Sequence, residues 1–392
     1  MKILLVQNML HVPSHGGANK STRLLMEALA ARGHDCRVVA PLSGALRANA
    51  APDTAGYLRA RRVRVDQHQS SLRYELRGVR VDAVTPSHLV RGIRAVADEF
   101  DPDRILVPSD DPLQLTLAAA LRAAPERVVY LAYTLQQLPF GPRAFYPSES
   151  GARMVRRARG VLAISRVTQD YLRQFGGVPS HLWYPHVYTP PTRATPAPDG
   201  AVTMVNPCGY KGISVFLALA DALPRQRFMA VPTWGTTPSD LAELDLRPNI
   251  EIVEAADDID AVLTRTRVLL MPSLWDETFG FTAVDAMLRG IPVLASDVGG
   301  LSEAKLGVPH LLPVRPIERY DARADPARPV PEVPPQNIGP WEAALRRVLH
   351  DPAHFADLST ASAAAASTFV RGLDDGVVER YLTAARRDEA LR

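Results

Sequence analysis

Two carboxylates eight positions apart, Glu277 and Asp285, stand in the stretch VLLMPSLWDETFGFTAVDAMLRGIPVLASDVGGLSE at 268–303. Glu277 falls in a loop after the apolar run Val268 to Met271, which reads as a buried strand closed by Pro272-Ser273. Thr278-Phe279-Gly280 leads into a helix, and Asp285 lies within it among Ala283, Val284, Ala286, Met287 and Leu288. A carboxylate on so apolar a helix is costly to bury unless it is hydrogen-bonded. Sugar hydroxyls would satisfy it, and so would a backbone amide or an arginine. The first amides of the helix, near Phe279 to Thr282, form an anion site. Carboxylates for hydroxyls beside amides for phosphate suggest a pocket for a phosphorylated sugar or a nucleotide. Gly290-Ile-Pro ends the helix, Val293 to Ala295 is the next buried strand, and Gly299-Gly300 opens the following loop.

The whole of this pattern, Glu277, seven residues, Asp285, then Gly-x-Pro-Val and Gly-Gly-x-x-Glu ending at Glu303, resembles the donor-site signature of retaining glycosyltransferases of family 4. That family normally has Glu at both positions, so Asp285 is a departure that keeps the charge and shortens the reach. The resemblance implies a GT-B fold, two Rossmann-like parallel-sheet domains facing a cleft, with a final helix crossing back to the first domain. It implies a nucleoside-diphosphate sugar as co-substrate, UDP-sugars preferred to GDP-sugars, and neither a metal nor another cofactor. Catalysis would then rest on Glu277 and Lys211, without a protein nucleophile. The leaving phosphate would take the acceptor proton on the face that the acceptor attacks.

Further residues fall into this frame. Lys211-Gly212 follows a strand and the irregular loop Asn206-Pro207-Cys208-Gly209-Tyr210. A lysine before a helix start can neutralise phosphate, although a surface lysine near a turn is the ordinary alternative. The family usually has an arginine ahead of this lysine. Here the stretch holds Asn206, which is neither bidentate nor charged, so the second cation is missing or comes from elsewhere. The resemblance makes Gly16, Gly17, Asn206, Lys211, Glu277, Phe279, Gly280, Phe281 and Asp285 the donor-binding set, with the ribose assigned to Asp285. Gly16-Gly17 lies at the first strand-helix turn, where a tight turn alone would also call for glycine. It lacks the full Gly-x-Gly-x-x-Gly spacing of a dinucleotide dehydrogenase. His15, Tyr133, Gln136 and Gln137 are candidates for the acceptor. Tyr133 occupies the place where family members often carry a histidine. Asp110-Asp111 reads as a helix cap before Pro112 as readily as a metal pair. Trp234-Gly235 could line the nucleotide base or simply pack.

The elements that must position these residues alternate. A strand at Ile3 to Val6, a helix from Asn19 to Arg32 ended by Gly33, and a strand at Cys36 to Ala40 make a βαβ unit. Helices follow at His88 to Phe100 and Pro112 to Ala123, with strands at Ile105 to Pro108, Val128 to Ala132 and Val161 to Ile164. The Pro-rich stretch YTPPTRATPAPDG at 188–200 reads as a linker. A second series has strands at Val202 to Val205, Arg227 to Val231, Ile250 to Val253, Val268 to Met271 and Val293 to Ala295. The expected domains are therefore 1–187 for the acceptor and 201–370 for the nucleotide sugar, with a returning helix in 371–392 at Val377 to Ala384. Residues 315–340 form a long Pro-rich segment of the kind that is usually functional.

The composition narrows the class. A chain of 392 residues with 46% hydrophobic and 22% charged residues is expected to be a soluble two-domain protein. A net charge of +3 gives no case for nucleic acid. Two cysteines, Cys36 and Cys208, suggest neither a disulfide framework nor a metal cluster, as in a reducing cytoplasm. The basic clusters at Arg59, Arg61, Arg62 and Arg64, the first of them strand-like, and at Arg153, Arg156, Arg157 and Arg159 read as solvated faces, so no membrane association is expected. The expectation is a hexosyltransferase-type enzyme of class EC 2.4, acting on a small-molecule or glycan acceptor in secondary-metabolite or polysaccharide biosynthesis. The alternatives are another sugar-nucleotide enzyme on the same fold, such as an epimerase, or a binding protein whose site has decayed at Asn206, Tyr133 and Asp285.

Overall fold

A computed structural model describes residues 1–14, 16–42, 53–191, 196–326 and 328–384. The chain divides into two compact units, Met1–Val187 with Asp374–Arg392, and Tyr188–Leu373. The change of unit falls at Val187–Tyr188, and the Pro-rich stretch that follows clusters with the second unit.

The first unit is built on nine strands: β1 (Lys2–Val6), β2 (Asp35–Pro41), β3 (Val65–His68), β4 (Ser71–Leu76), β5 (Val79–Val84), β6 (Arg104–Pro108), β7 (Val128–Ala132), β8 (Gly160–Ala163) and β9 (His181–Leu182). Their order in the sheet is β3-β4-β5-β2-β1-β6-β7-β8-β9. The helices are α1 (Gly17–Ala31), α2 (Thr54–Ala60), α3 (Leu89–Phe100), α4 (Leu115–Ala123), α5 (Glu149–Arg157) and α6 (Arg166–Tyr171). The central strands are apolar throughout because helices cover both of their faces. Helix α3 shows how: Leu89, Ile93, Val96, Ala97 and Phe100 form one buried stripe at helical spacing.

Two expectations need correcting in this unit, and one hairpin had not been expected. Arg59 lies in α2 and Arg61-Arg62 in the turn after it, with Arg62 at φ +60°, so the first basic cluster is not a strand. The strands nearby are β4 and β5, joined through Arg77-Gly78, both in the left-handed region that a tight hairpin demands. Their signal was the alternation in SLRYEL, where Leu72 and Tyr74 are buried and Arg73 and Glu75 exposed. Helix α4 begins at Leu115 rather than Pro112. The Asp111 carboxylate accepts from the amides of Leu113 and Thr116 at 3.1 and 2.8 Å, and Gln114 sits at φ +59°, so the chain turns before the helix starts.

The second unit carries β10 (Ala201–Val205), β11 (Phe228–Val231), β12 (Ile250–Ile252), β13 (Thr266–Met271), β14 (Val293–Ser296) and β15 (Leu311–Leu312) in the order β12-β11-β10-β13-β14-β15, every pair parallel. Its helices are α7 (Ile213–Ala222), α8 (Pro238–Asp245), α9 (Asp260–Leu263), α10 (Phe281–Leu288), α11 (Leu301–Ala304), α12 (Gly339–His350) and α13 (Pro352–Arg371). Counted from β10, the order is 3-2-1-4-5-6, that of a dinucleotide-binding doubly wound sheet. The Pro-rich segment contains a separate two-stranded hairpin, β16 (Tyr320–Asp321) with β17 (Val330–Pro331).

The last described helix, α14 (Val377–Thr383), belongs to the first unit. Arg104 Nε donates to the Leu382 carbonyl at 2.8 Å, and Arg159 Nη2 to the Ala384 carbonyl at 2.7 Å. A Cβ at Gly160 would lie 2.1 Å from the Tyr381 hydroxyl, so a larger residue there would displace the Tyr381 side chain. No helix among the described residues is long and apolar enough to cross a membrane.

Candidate functional site

In a doubly wound sheet, ligands bind beyond the carboxyl ends of the strands where the strand order reverses. In the second unit that point lies between β10 and β13. The loops that leave these two strands carry Lys211 and Glu277.

Lys211 Nζ donates to Glu277 Oε1 at 2.5 Å, although the residues are 66 positions apart. The same oxygen accepts from the Ser273 hydroxyl. Lys211 Nζ also lies 4.7 Å from the centroid of the Trp275 ring. Glu277 is 9% exposed, so its charge is largely withdrawn from water and compensated by the lysine and the serine. Glycines fix both loops. Gly212, at φ +78°, has no room for a Cβ, which would fall 1.9 Å from the Pro272 carbonyl oxygen. The amide of Gly300 donates to the Glu277 carbonyl at 2.6 Å, and this joins the loop after β14 to that after β13.

Gly280, at φ +128°, is the N-cap of α10 and supplies no side-chain cap, so the first amides of that helix remain available to an anion. Phe279 is a core residue: its ring is 1% exposed and packs at 5.7 Å from both Phe281 and Phe369. Any contact of Phe279 with a donor would therefore be made by its backbone, beside the first amides of α10. Phe281 is half-buried and packs edge-on against Tyr188 at 6.4 Å.

Asp285 is 5% exposed. Arg289, one turn further along, lies 3.7 Å from its Oδ1 and donates to its carbonyl at 2.8 Å. Arg289 Nε also pairs with Asp260. The arginine anticipated as the ordinary partner is thus present, within a buried Asp285–Arg289–Asp260 network. Nothing in the sequence pattern linked Asp260 to it, since the two acids are 25 positions apart and meet only through the fold.

Asn206 sits at φ +61° at the end of β10, and its Oδ1 accepts from the Gly235 amide at 2.9 Å. Its Nδ2 is buried and has no hydrogen-bond partner among the described residues. Trp275 Nε1 is in the same condition.

The remaining candidates lie in the first unit. Gly16 is the N-cap of α1 at φ +94°, and both Gly16 and Gly17 are exposed. His15 lies outside the described residues. Tyr133 is 2% exposed, shares a 2.8 Å hydrogen bond with Ser21, and packs edge-on against Trp183 at 6.2 Å. Burial pushes its phenol above the usual range. Its ring is thus part of the packing of the first unit. Gln136 is fully buried, with both of its amide atoms lacking partners among the described residues, whereas Gln137 is half-buried. Asp110 Oδ2 accepts from the Asn8 amide at 2.9 Å, which joins the ends of β1 and β6. Burial, and then the neighbouring Asp111, raise its carboxyl well above the ordinary range.

Residues 15–190 match the family model Glycosyltransferase Family 4, and residues 201–317 match Glycosyl transferases group 1. Over 112 residues the chain is 27% identical to a 42.6 kDa protein of the cps region of Klebsiella pneumoniae, covering 29% of this chain and 30% of that protein. Over 47 residues it is 55% identical to the 2-deoxystreptamine glucosyltransferase of Streptomyces kanamyceticus, covering 12% of each. The matched stretches thus span under a third of either relative. Among solved structures, Anabaena HepE in complex with UDP and glucose superposes with a TM-score of 0.68 at 17% identity, covering 98% of this chain and 100% of HepE. The likeness is one of fold, which is GT-B.

Proposed function

We propose that this chain, which belongs to the family 4 glycosyltransferases, transfers glucose from UDP-glucose to a hydroxyl of a small polyol or glycan with retention of configuration. The observation that carries the reading is the Lys211–Glu277 pair, 2.5 Å apart at the switch point of the second sheet and beside the uncapped start of α10. UDP-glucose as donor is supported by HepE, which was crystallised with it, and by the glucosyltransferase name of the Streptomyces relative. That relative's name also supports a small cyclic polyol as acceptor.

In this mechanism the diphosphate enters against Lys211 and the first amides of α10. Lys211 turns from Glu277 toward phosphate, and the Glu277 carboxylate accepts from hydroxyls of the glucosyl group. The bond from the anomeric carbon to the diphosphate oxygen breaks as the acceptor oxygen bonds to the same face. The acceptor proton passes to the departing diphosphate, leaving UDP and the glucoside. The charge that develops on the diphosphate meets a cation and helix amides already in place, and that preorganisation lowers the barrier. The nucleotide sugar is the sole co-substrate, and no metal is required.

Incubation with UDP-glucose and a panel of cyclitols and short glycans tests the assignment. UDP release should depend on an acceptor, and the anomeric proton coupling of the product should be that of an α-glucoside. An inverted product would refute retention, and absence of turnover with any nucleotide sugar would refute the activity.

A further inference from the structure

The Pro-rich segment after β15 is not a free loop. Its hairpin is fastened to the Lys211 loop at several points. The Tyr210 hydroxyl donates to the Pro329 carbonyl, and the Tyr320 ring stacks on Tyr210 at 6.1 Å and 22°. Arg328 Nη1 donates to the Trp234 carbonyl at 2.5 Å. A Cβ on Gly209 would touch Pro331 and Val333 at 3.1 and 3.2 Å.

These contacts place the hairpin beside a row of aromatic rings. Trp275 has Lys211 Nζ 4.7 Å from its centroid, which marks the phosphate end of the row. Trp234, half-buried, follows at 5.8 Å toward β11. The opposite side, at Glu277 and the start of α10, is taken by the sugar and the diphosphate in the proposed function. A nucleotide held by its diphosphate at Lys211 therefore extends its nucleoside over Trp275 and Trp234. Two buried N–H donors without partners among the described residues, Asn206 Nδ2 and Trp275 Nε1, lie along this route. They call for a ligand rich in acceptor oxygens, which a ribose diphosphate is.

We propose that the β16–β17 hairpin completes a nucleobase subsite, in which Trp234 is the stacking platform and Arg328 reads a pyrimidine by donating to its 4-keto oxygen. Arg328 has five N–H donors and no acceptor, and one N–H group is engaged by the Trp234 carbonyl. A uracil presents an acceptor at its 4-position. A cytosine presents an amino group there, which would set donor against donor and leave both unsatisfied. Arg328 thus selects the base as a specificity residue, apart from the groups that touch the reacting atoms. This subsite presupposes a nucleotide-sugar donor at Lys211 and Glu277.

Calorimetric titration of the full chain with UDP and with CDP tests it. The wild-type protein should bind UDP more tightly by about tenfold or more, the size of one charge-assisted hydrogen bond gained and one donor clash avoided. Arg328→Gln offers either an oxygen or an amino group and should bring the two affinities within about threefold of each other. Arg328→Lys keeps a donor-only group and should keep the preference. Trp234→Ala should weaken both ligands alike, leaving their ratio unchanged. Equal wild-type affinities, or a ratio that Arg328→Gln does not alter, would overturn the base-reading role while leaving the donor assignment standing. Failure of wild-type protein to bind either nucleotide would remove the donor assignment and this subsite together.

Discussion

Glu277 and Lys211 neutralise one another at 2.5 Å, and this coupling shapes what each substitution should do. In Glu277→Gln the lysine loses its carboxylate while the amide still fills the space. Turnover should fall at least about tenfold, because a neutral amide holds sugar hydroxyls more weakly than a carboxylate does. Affinity for UDP should hold or rise, since Lys211 is no longer held by a negative partner. Wild-type turnover at saturating donor would remove Glu277 from the sugar site. Asp285→Ala should behave differently. Its carboxylate lies 3.7 Å from Arg289, and Arg289 retains Asp260, so the loss should be about 1–3 kcal/mol of stability with UDP affinity unchanged. Weakened UDP binding at unchanged melting temperature would instead return Asp285 to the ribose. At this scale the sequence was legible wherever chemistry and loop position coincide, as at Lys211 and Glu277. It was not legible where burial decides. The burial of the Tyr133 and Phe279 rings, for instance, follows from the fold and has no mark in the local pattern.

At the scale of elements, alternating strands and helices were readable from apolar runs and from the glycines and prolines between them, because buried parallel strands are continuous in their hydrophobicity. The β4–β5 hairpin was obscured by its arginines, which occupy the solvent side of an alternating strand. A further feature has no signal in the pattern. Lys305, just past α11, is 1% exposed and donates from Nζ to the Val293 carbonyl at 2.5 Å. Burial lowers its pKa from 10.5 to about 7. Above pH 7 the folded protein carries this amine largely neutral while the unfolded chain still binds the proton. Unfolding then takes up a proton, so stability contributed at this position rises with pH through the window from about 7 to 10.5. Urea denaturation of wild type and Lys305→Met should show it. The wild type should gain about 2 kcal/mol relative to the variant between pH 7 and pH 9. Parallel pH profiles for the two proteins would mean that Lys305 is protonated in the fold.

For the molecule as a whole, two parallel-sheet units and a returning C-terminal helix were expected, whereas the order of strands in each sheet comes from the structure. What the sequence could not supply was the attachment of that helix, which depends on Arg104, Arg159 and Gly160, far away along the chain. Helix α14 buries Val378, Tyr381 and Leu382 against the first unit. Truncation after Leu373 removes those side chains and should cost that unit about 5 kcal/mol, read as a lowered melting temperature. An unchanged melting temperature would show that α14 contributes little to the unit's stability.

The central claim is that the end of the second sheet, at Lys211 and Glu277, holds a nucleoside diphosphate. It is tested most directly by calorimetric titration of wild type and Lys211→Ala with UDP and with uridine. The wild type should bind UDP far more tightly than uridine. Lys211→Ala should lose about tenfold or more in affinity for UDP and little for uridine, because the lysine pairs with phosphate. Equal losses for the two ligands, or a wild-type protein that does not distinguish UDP from uridine, would contradict the placement of the diphosphate at Lys211.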